Sequence, residues 1–134
     1  MRKTYTKRAI MEELRYTIVY NSKIIRRFER HFTKNNKDNF PAVIPAMVWK
    51  GNQVHMRGMI KPRGVLLNHE LIHLAQIREC GNFGKYLRKY FREEQGIPYS
   101  EKSTEREAFM HQWDMDYIPQ HFGLIPVLEN EIYE

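Results

Sequence analysis

The apolar positions in the first third of the chain predict a helix followed by a loop. Apolar side chains that recur every four residues favour a helix over 8–18. The run 15–20 also has the β-branched and aromatic composition of a strand, but the helical spacing is the interpretation we favour. The charged and turn-forming residues of 33–39 predict a polar loop.

A β-hairpin is predicted in the middle of the chain. Two short apolar runs, 47–49 and 54–60, flank Gly51-Asn52, a dipeptide typical of tight turns between strands. Pro45 precedes the first run and restricts it to the edge of a sheet, because proline has no N–H to donate to a neighbouring strand.

Three helices are predicted in the second half of the chain. Glycine or proline follows each of them, and Ser100 or Ser103 is the expected cap of the third. The tail that follows them, 123–128, is expected to pack its apolar residues against the body of the protein. The predicted helices are 65–80, ended by Gly81; 83–94, ended by Gly96 and Pro98; and 103–117, ended before Pro119.

Composition narrows the class of protein. With 134 residues the chain has the length of one domain, 1–134, and 42% hydrophobic residues argue against disorder. A single cysteine, Cys80, excludes a disulfide framework. Neither a signal peptide nor an apolar stretch of about 20 residues is visible, so we expect a cytoplasmic protein without a membrane span. The expected fold is a small, helix-rich α+β domain with a short mixed sheet before the 65–80 helix.

The charge of the chain allows a nucleic-acid partner but does not require one. Lys+Arg number 22 and Asp+Glu 16, which gives a formal net charge of +6. Basic residues alternate with aromatic residues over 26–32, as they do on some nucleic-acid-binding faces. A solvated helix face is the commoner outcome for such residues, so nucleic acid is not the partner we expect.

The strongest chemical signal is His69-Glu70-Leu71-Ile72-His73 in the first of these helices. Histidines four residues apart lie on one helical face, so both imidazoles can reach one metal ion, with Glu70 beside them to take a proton from water. A catalytic zinc keeps three protein ligands, so a third ligand must come from elsewhere in the fold. The candidates are His31, His55, His111, His121 and the carboxylates of 101–107.

The first motif is followed, 32 residues after its second histidine, by Glu105-Arg106-Glu107-Ala108. Together the two motifs resemble the gluzincin branch of the zincin metallopeptidases, in which the first glutamate of a Glu-x-x-Ala segment is the third zinc ligand. The resemblance implies a zincin-like domain with Zn²⁺ held by His69, His73 and Glu105, and with Glu70 as the general base. Glu101, one turn earlier, is the fallback ligand. Phe109 departs from the pattern, since many relatives have an acidic or amide residue there.

The resemblance implies a minimal zinc-dependent peptidase that acts on a peptide or a flexible protein segment. The strand 54–60 resembles the zincin edge strand, which binds an extended substrate by main-chain pairing. Two alternatives stay open: a catalytically silent zinc-binding module, and a basic nucleic-acid-binding domain in which the motif is coincidental. Candidate donors to the oxyanion of the transition state are Tyr99, His111, Tyr117 and His121.

Overall fold

The structure of the protein, a computed structural model, describes residues 11–35 and 38–134. These residues form an α+β fold, as predicted, and none of their helices is long and apolar enough to cross a membrane. The elements in chain order are β1 (Glu12–Tyr20), α1 (Lys23–Lys34), β2 (Ala46–Trp49), β3 (Gln53–Met56), α2 (Gly64–Cys80), α3 (Phe83–Arg88), α4 (Ser103–His111), α5 (Tyr117–Phe122) and β4 (Leu124–Tyr133).

The first element is a strand, so the prediction of a helix over 8–18 is wrong for its described part, and residues 8–10 lie outside the described residues. β1 pairs in parallel with β3 on one side and with β4 on the other. Its residues from Ile18 to Tyr20 are buried consecutively, which is the pattern of a strand covered on both faces. The four-residue spacing of apolar residues was a weaker signal than the β-branched and aromatic run.

The sheet has the strand order β2-β3-β1-β4. β2 and β3 form the predicted antiparallel hairpin across Gly51-Asn52, and β2 is an edge strand, as Pro45 indicated. β3 lies inside the sheet, so the interpretation of 54–60 as an edge strand is wrong, because β1 occupies its second side. The sheet also does not wholly precede α2, since the apolar tail forms β4 and completes it after the last helix.

The helix α2 is confirmed and ends at Gly81, whose φ of 107° lies in a region that favours glycine. The second predicted helix is α3 continued by a π-helical turn over Lys89–Glu93. The third is shorter than predicted, because α4 ends at His111 and a separate helix, α5, accommodates Pro119 in its first turn, where proline is tolerated. Lys102, not a serine, occupies the cap position before α4.

A buried ion pair anchors the beginning of α4. The Nζ of Lys102, whose side chain is fully buried, donates to Asp38 Oδ2 at 2.7 Å and to the carbonyl oxygen of Glu94 at 2.8 Å. Asp38 Oδ1 accepts the N–H of Gly96 at 3.0 Å. Both charges are paired and hydrogen-bonded, as buried charges need to be. The pair joins the loop before β2 to the beginning of α4, because Lys102 lies one helical turn before Glu105.

Candidate metal centre

The helix α2 passes through the interior of the protein and carries the first motif into it. All residues from Asn68 to Ile77 are buried, so this stretch has no solvent-exposed face. His69 retains 6% of its exposure, Glu70 4% and His73 3%. Such buried polar residues require partners, and α4 provides them by packing alongside α2.

Two imidazole nitrogens and one carboxylate oxygen converge between these helices. His69 Nε2 lies 3.2 Å from His73 Nε2. Glu105 Oε1 lies 3.2 Å from His69 Nε2 and 2.9 Å from His73 Nε2. A point about 2.1 Å from all three atoms lies roughly 1 Å above their plane, and about 2.0–2.2 Å is the usual length of zinc bonds to such atoms. The cluster can therefore hold a metal ion with three protein ligands.

The hydrogen bonds of Gln76 fix the tautomer of His73. The Gln76 amide nitrogen donates to the Thr104 carbonyl oxygen at 3.0 Å and to Glu107 Oε1 at 2.7 Å, so its Oε1 faces His73 Nδ1 at 2.8 Å. Nδ1 must then carry the proton, and the Nε2 of neutral His73 presents its lone pair to the cluster. A metal-binding histidine needs this orientation.

Gln112 holds the ring of His69 in a similar way, since its Oε1 lies 2.9 Å from His69 Nδ1. The Phe109 ring packs edge-on against His69 at 4.7 Å, and the amide oxygen that bonds this histidine comes from Gln112, three residues later. Each histidine is consequently oriented by a glutamine oxygen.

The centre attracts positive charge because three acceptor atoms face one another. Burial lowers the pKa of His73, but the bonded Glu105 carboxylate raises it more, to about 9. Burial raises the pKa of Glu105, and His73 together with the hydrogen bonds of the site holds it well below its usual range. A proton or a metal ion between these groups relieves the repulsion among their lone pairs.

Two tyrosines that the sequence analysis missed complete the site. Tyr90 donates its hydroxyl to Glu105 Oε2 at 2.6 Å, which leaves Oε1 for the cluster. Tyr86 places its hydroxyl 3.2 Å from His73 Nδ1. Burial, followed by the charge of Glu105, raises the pKa of both phenols, so both keep their protons. Their spacing of four residues, on one helical face, was the signal available in the sequence.

Glu70 lies beside the cluster and lines a cavity together with His73 and Glu105. Burial raises the pKa of Glu70, an effect that the two histidines oppose. Tyr99 lines the same cavity, and burial followed by the charge of Glu105 raises the pKa of its phenol. A carboxyl group and a phenol therefore both line the cavity beside the cluster.

The other candidate ligands lie elsewhere. His31 is exposed on α1, and Glu101 is exposed before α4. His55 is bonded to Ser22 and Gln53. Among the described residues, the cluster of His69, His73 and Glu105 is the group that could hold a metal ion.

The remaining oxyanion candidates take part in other contacts. His111 stacks on the Tyr117 ring at a centroid distance of 3.9 Å, and the His121 ring packs against Tyr117 at a tilt, with a centroid distance of 4.4 Å. The Tyr117 hydroxyl donates to Glu107, which also accepts from Gln76. Glu107 thus supports the centre from outside through Gln76, because it lies about 200° around the helix from Glu105 and does not face the cluster.

The basic segment of α1 does not present its aromatic residues to solvent. The Phe28 ring packs against Trp49 at 5.7 Å, and the Phe32 ring stacks on Phe40 at 4.1 Å. The basic side chains of this segment are exposed, namely those of Arg26, Arg27 and Arg30. The face therefore lacks the exposed stacking platforms of a single-strand nucleic-acid surface. The basic residues before position 11 lie outside the described residues.

Comparison with known proteins gives no match to this chain, whether with protein families, curated proteins or solved structures. The described residues form an α+β fold with a buried group that could hold a metal ion.

Proposed function

We propose that this protein is a zinc-dependent peptidase of the gluzincin type, in which His69, His73 and Glu105 hold the metal and Glu70 is the general base. The convergence of His69 Nε2, His73 Nε2 and Glu105 Oε1 within 3.2 Å carries the proposal. Two imidazoles and one carboxylate are a ligand set of hydrolytic zinc sites. Three protein ligands leave one position of a tetrahedral ion for water or substrate.

Each residue of the proposed site has one role in hydrolysis. A bound zinc ion supplies Lewis acidity, which polarises a carbonyl group and makes water a stronger acid. Glu70 accepts the proton of the attacking water and delivers it to the leaving amine. Its raised pKa brings it closer to neutral pH, which improves a group that must both take and return a proton. Tyr99 donates its phenol hydrogen to the oxyanion that develops in the cavity.

The edge strand β2 supports a peptide as the substrate. No strand of the described residues pairs with its outer side, and the helix α2 packs against it. An extended peptide can add to such an edge by main-chain hydrogen bonds, which require no particular side chains. Short or flexible segments meet this requirement because they can become extended without unfolding a domain.

Metal analysis and digestion of a peptide library test the proposal together. We expect one zinc ion per chain and cleavage of peptide bonds that a chelator abolishes and zinc restores. Another stoichiometric metal, such as iron, would contradict the proposal. Zinc without cleavage of any peptide would contradict it too, and would favour the silent zinc-binding module.

The substitution Glu70→Gln tests the mechanism. The variant should retain zinc, because residue 70 is not one of the three ligands, and should lose at least about 100-fold in kcat, the low end of the usual contribution of general acid–base catalysis. Glu101→Gln is the matched control, since Glu101 is exposed and outside the cluster. It should retain both zinc and activity. Full activity of Glu70→Gln would exclude Glu70 as the base.

A further inference from the structure

The beginning of α1 and the segment that leads from β3 to α2 lie together at one end of the sheet. β1, β3 and β4 run parallel, so their last residues end side by side. The N–H of Ser22 donates to the carbonyl oxygen of Met56 at 3.0 Å, and the N–H of Asn21 donates to that of Gly58 at 2.9 Å. These bonds fix the segment 57–63 beside the first turn of α1.

The segment 57–63 carries an exposed apolar tip, Met59 and Ile60. Ile60 is 85% exposed, more than any other large apolar residue of the described chain, and Met59 is 57% exposed. Lys61 and Arg63 follow the tip and are exposed as well. Two adjacent apolar side chains beside basic ones are typical of segments that bind at the boundary between water and lipid.

Contacts on both sides of the tip hold it in this exposed position. Before the tip, Arg57 Nε donates to Glu29 Oε2 of α1 at 2.9 Å. After it, the side chain of Pro62 is buried. The apolar side chains of the tip are therefore presented to solvent by a fixed backbone, and a partner that binds them need not order this segment first.

The helix α1 beside the tip has a basic face without acidic residues. Its acidic residue, Glu29, is turned inward, where it accepts the N–H of Ile44 at 2.7 Å and forms an ion pair with Arg57. Among the described residues this is the only ion pair that a side chain of α1 makes. Like charges three and four residues apart destabilise a helix, as do positive charges in its first turn. The exposed residues of α1 are Lys23, Arg26, Arg27, Arg30, His31, Thr33 and Lys34.

We propose that the apolar tip and the basic face of α1 together bind the surface of a bilayer that contains anionic lipid. Met59 and Ile60 enter the boundary between headgroups and acyl chains, and the Lys and Arg side chains of α1 contact the lipid phosphates beside them. The negative charge of the lipids relieves the repulsion along α1. The inference goes beyond the proposed function, since it requires neither a metal ion nor cleavage of a peptide.

A bilayer fits both features of this surface, whereas other anionic partners fit one. Duplex nucleic acid offers phosphates to α1, but it takes an apolar side chain only between base steps that have been forced apart. An acidic protein would need a pocket shaped for the tip. The boundary of a bilayer accepts any apolar side chain, and its charged surface is broad enough to contact the tip and α1 at once.

The acidic residues at this end of the sheet are already bonded within the protein. Glu131 Oε1 accepts the hydroxyl of Tyr20 at 2.7 Å and lies 4.0 Å from Lys61 Nζ. Glu134 Oε1 accepts the N–H of Lys23 at 2.9 Å. These two carboxylates offset part of the positive charge, and the arginines of α1 remain for lipid.

Sedimentation with lipid vesicles tests the tip. The full chain should sediment with vesicles of phosphatidylcholine mixed with phosphatidylserine and not with vesicles of phosphatidylcholine alone. Ile60→Ser should weaken this binding about 10-fold or more, because an apolar side chain no longer leaves water. Ile60→Trp should keep the binding, since tryptophan favours the interface. Met110→Ser is the matched control, because Met110 is 67% exposed on α4, and it should bind as the wild type does.

A double substitution tests the basic face. Arg27→Gln with Arg30→Gln should weaken binding by about five-fold for each residue, the usual contribution of one basic side chain at an anionic surface. The control is Arg15→Gln with Lys50→Gln, which changes the net charge equally. Both residues are exposed, one in the first half of β1 and the other in the turn between β2 and β3. This control should bind nearly as the wild type does.

Three outcomes would overturn the inference, and none of them touches the proposed peptidase. One is the absence of sedimentation with the mixed vesicles at low salt. Another is an equal loss in a variant and its control, which would mean that net charge or general apolarity acts in place of this surface. The last is tighter binding to duplex DNA of random sequence than to vesicles, with Ile60→Ser unchanged. Thermal unfolding of each variant verifies that it is folded, which is expected for exposed positions.

Discussion

The protein buries two kinds of histidine site, and they differ in what faces the ring nitrogens. At His55 both nitrogens meet neutral groups of the protein, with Ser22 Oγ 2.6 Å from Nδ1 and Gln53 Oε1 2.8 Å from Nε2. At the candidate metal centre, glutamine oxygens meet only the Nδ1 atoms, and the Nε2 atoms converge with a carboxylate oxygen. Burial is nearly the same at both sites.

The comparison teaches that burial and hydrogen bonding do not by themselves identify a metal-binding histidine. The direction of the unprotonated nitrogen does. At His55 that nitrogen accepts a hydroxyl proton from Ser22, because an amide oxygen at Nε2 requires Nε2 to be the donor. At His69 and His73 it points toward other acceptors, an arrangement that a proton or a metal ion between them stabilises.

The largest effect that would sharpen this comparison comes from replacing one glutamine at each of the two histidine sites. Gln76→Met removes the oxygen that orients His73 and should weaken metal binding by about 10–100-fold, the usual effect of losing such a partner. Gln53→Met removes the matching oxygen at His55 and should leave metal affinity unchanged. Competition with a chelator of known affinity measures both.

Chemical denaturation of the same two variants checks that each is folded. If both weaken the metal equally, the two histidine sites are coupled and the distinction between them fails. If Gln76→Met is folded and binds metal as tightly as the wild type, the orientation of His73 does not depend on Gln76.

A smaller effect is expected from Ser22→Ala, this time on stability. Ser22 Oγ caps α1 by accepting the N–H of Ile25 at 3.2 Å and also bonds His55. Its loss should lower the free energy of unfolding by about 1–2 kcal/mol, because a cap and a buried hydrogen bond disappear together. Urea unfolding measures the change, and metal affinity should stay as it was. A loss of metal affinity would break the comparison.

The smallest effect concerns the pH dependence that His55 contributes to stability. Burial lowers the pKa of His55 below its ordinary value of 6.5, and the carboxylate of Glu134 opposes part of this. Below pH 6.5 the unfolded chain therefore takes up a proton that folded His55 does not, so the contribution of His55 is full above this pH and falls as the pH drops through it. In the His55→Gln variant this slope should be shallower. Unfolding free energies at pH 5 and pH 8 give the comparison, and parallel slopes would contradict the assignment.

The parts of the fold and of the site that depend on local spacing could be predicted from the sequence. Histidines at 69 and 73 must share a face of any helix, and Gly81 must end it, so α2 and two of the clustered residues were predictable. The resemblance of Glu105-Arg106-Glu107-Ala108 to a Glu-x-x-Ala segment implied Glu105, which the structure brings to the same place.

What the sequence could not specify depends on contacts between distant segments. β1 is a strand because β3 and β4 occupy both of its sides, and the first segment does not reveal partners that come later in the chain. Gln112 reaches His69 because α4 ends at His111 beside α2, where the Asn68 side chain donates to the carbonyl oxygens of His111 and Gln112, an arrangement with no local signature. Tyr86 of α3 and Tyr90 of the π-helical turn that continues it had a helical spacing, but only the packing of α3 on α2 directs them to the centre.

The parallel pairing of β1 with β4 has a consequence for how the protein is made. In this pairing Glu12 is the partner of Leu124, roughly 110 residues further along the chain. A ribosome adds about 5–20 residues per second, so roughly 5–20 s pass between the synthesis of the two strands. Through that interval one side of β1 has no native neighbour. Among the described strands, β1 thus waits longest for its final partner, and its unpaired edge is open to incorrect pairing until β4 is made.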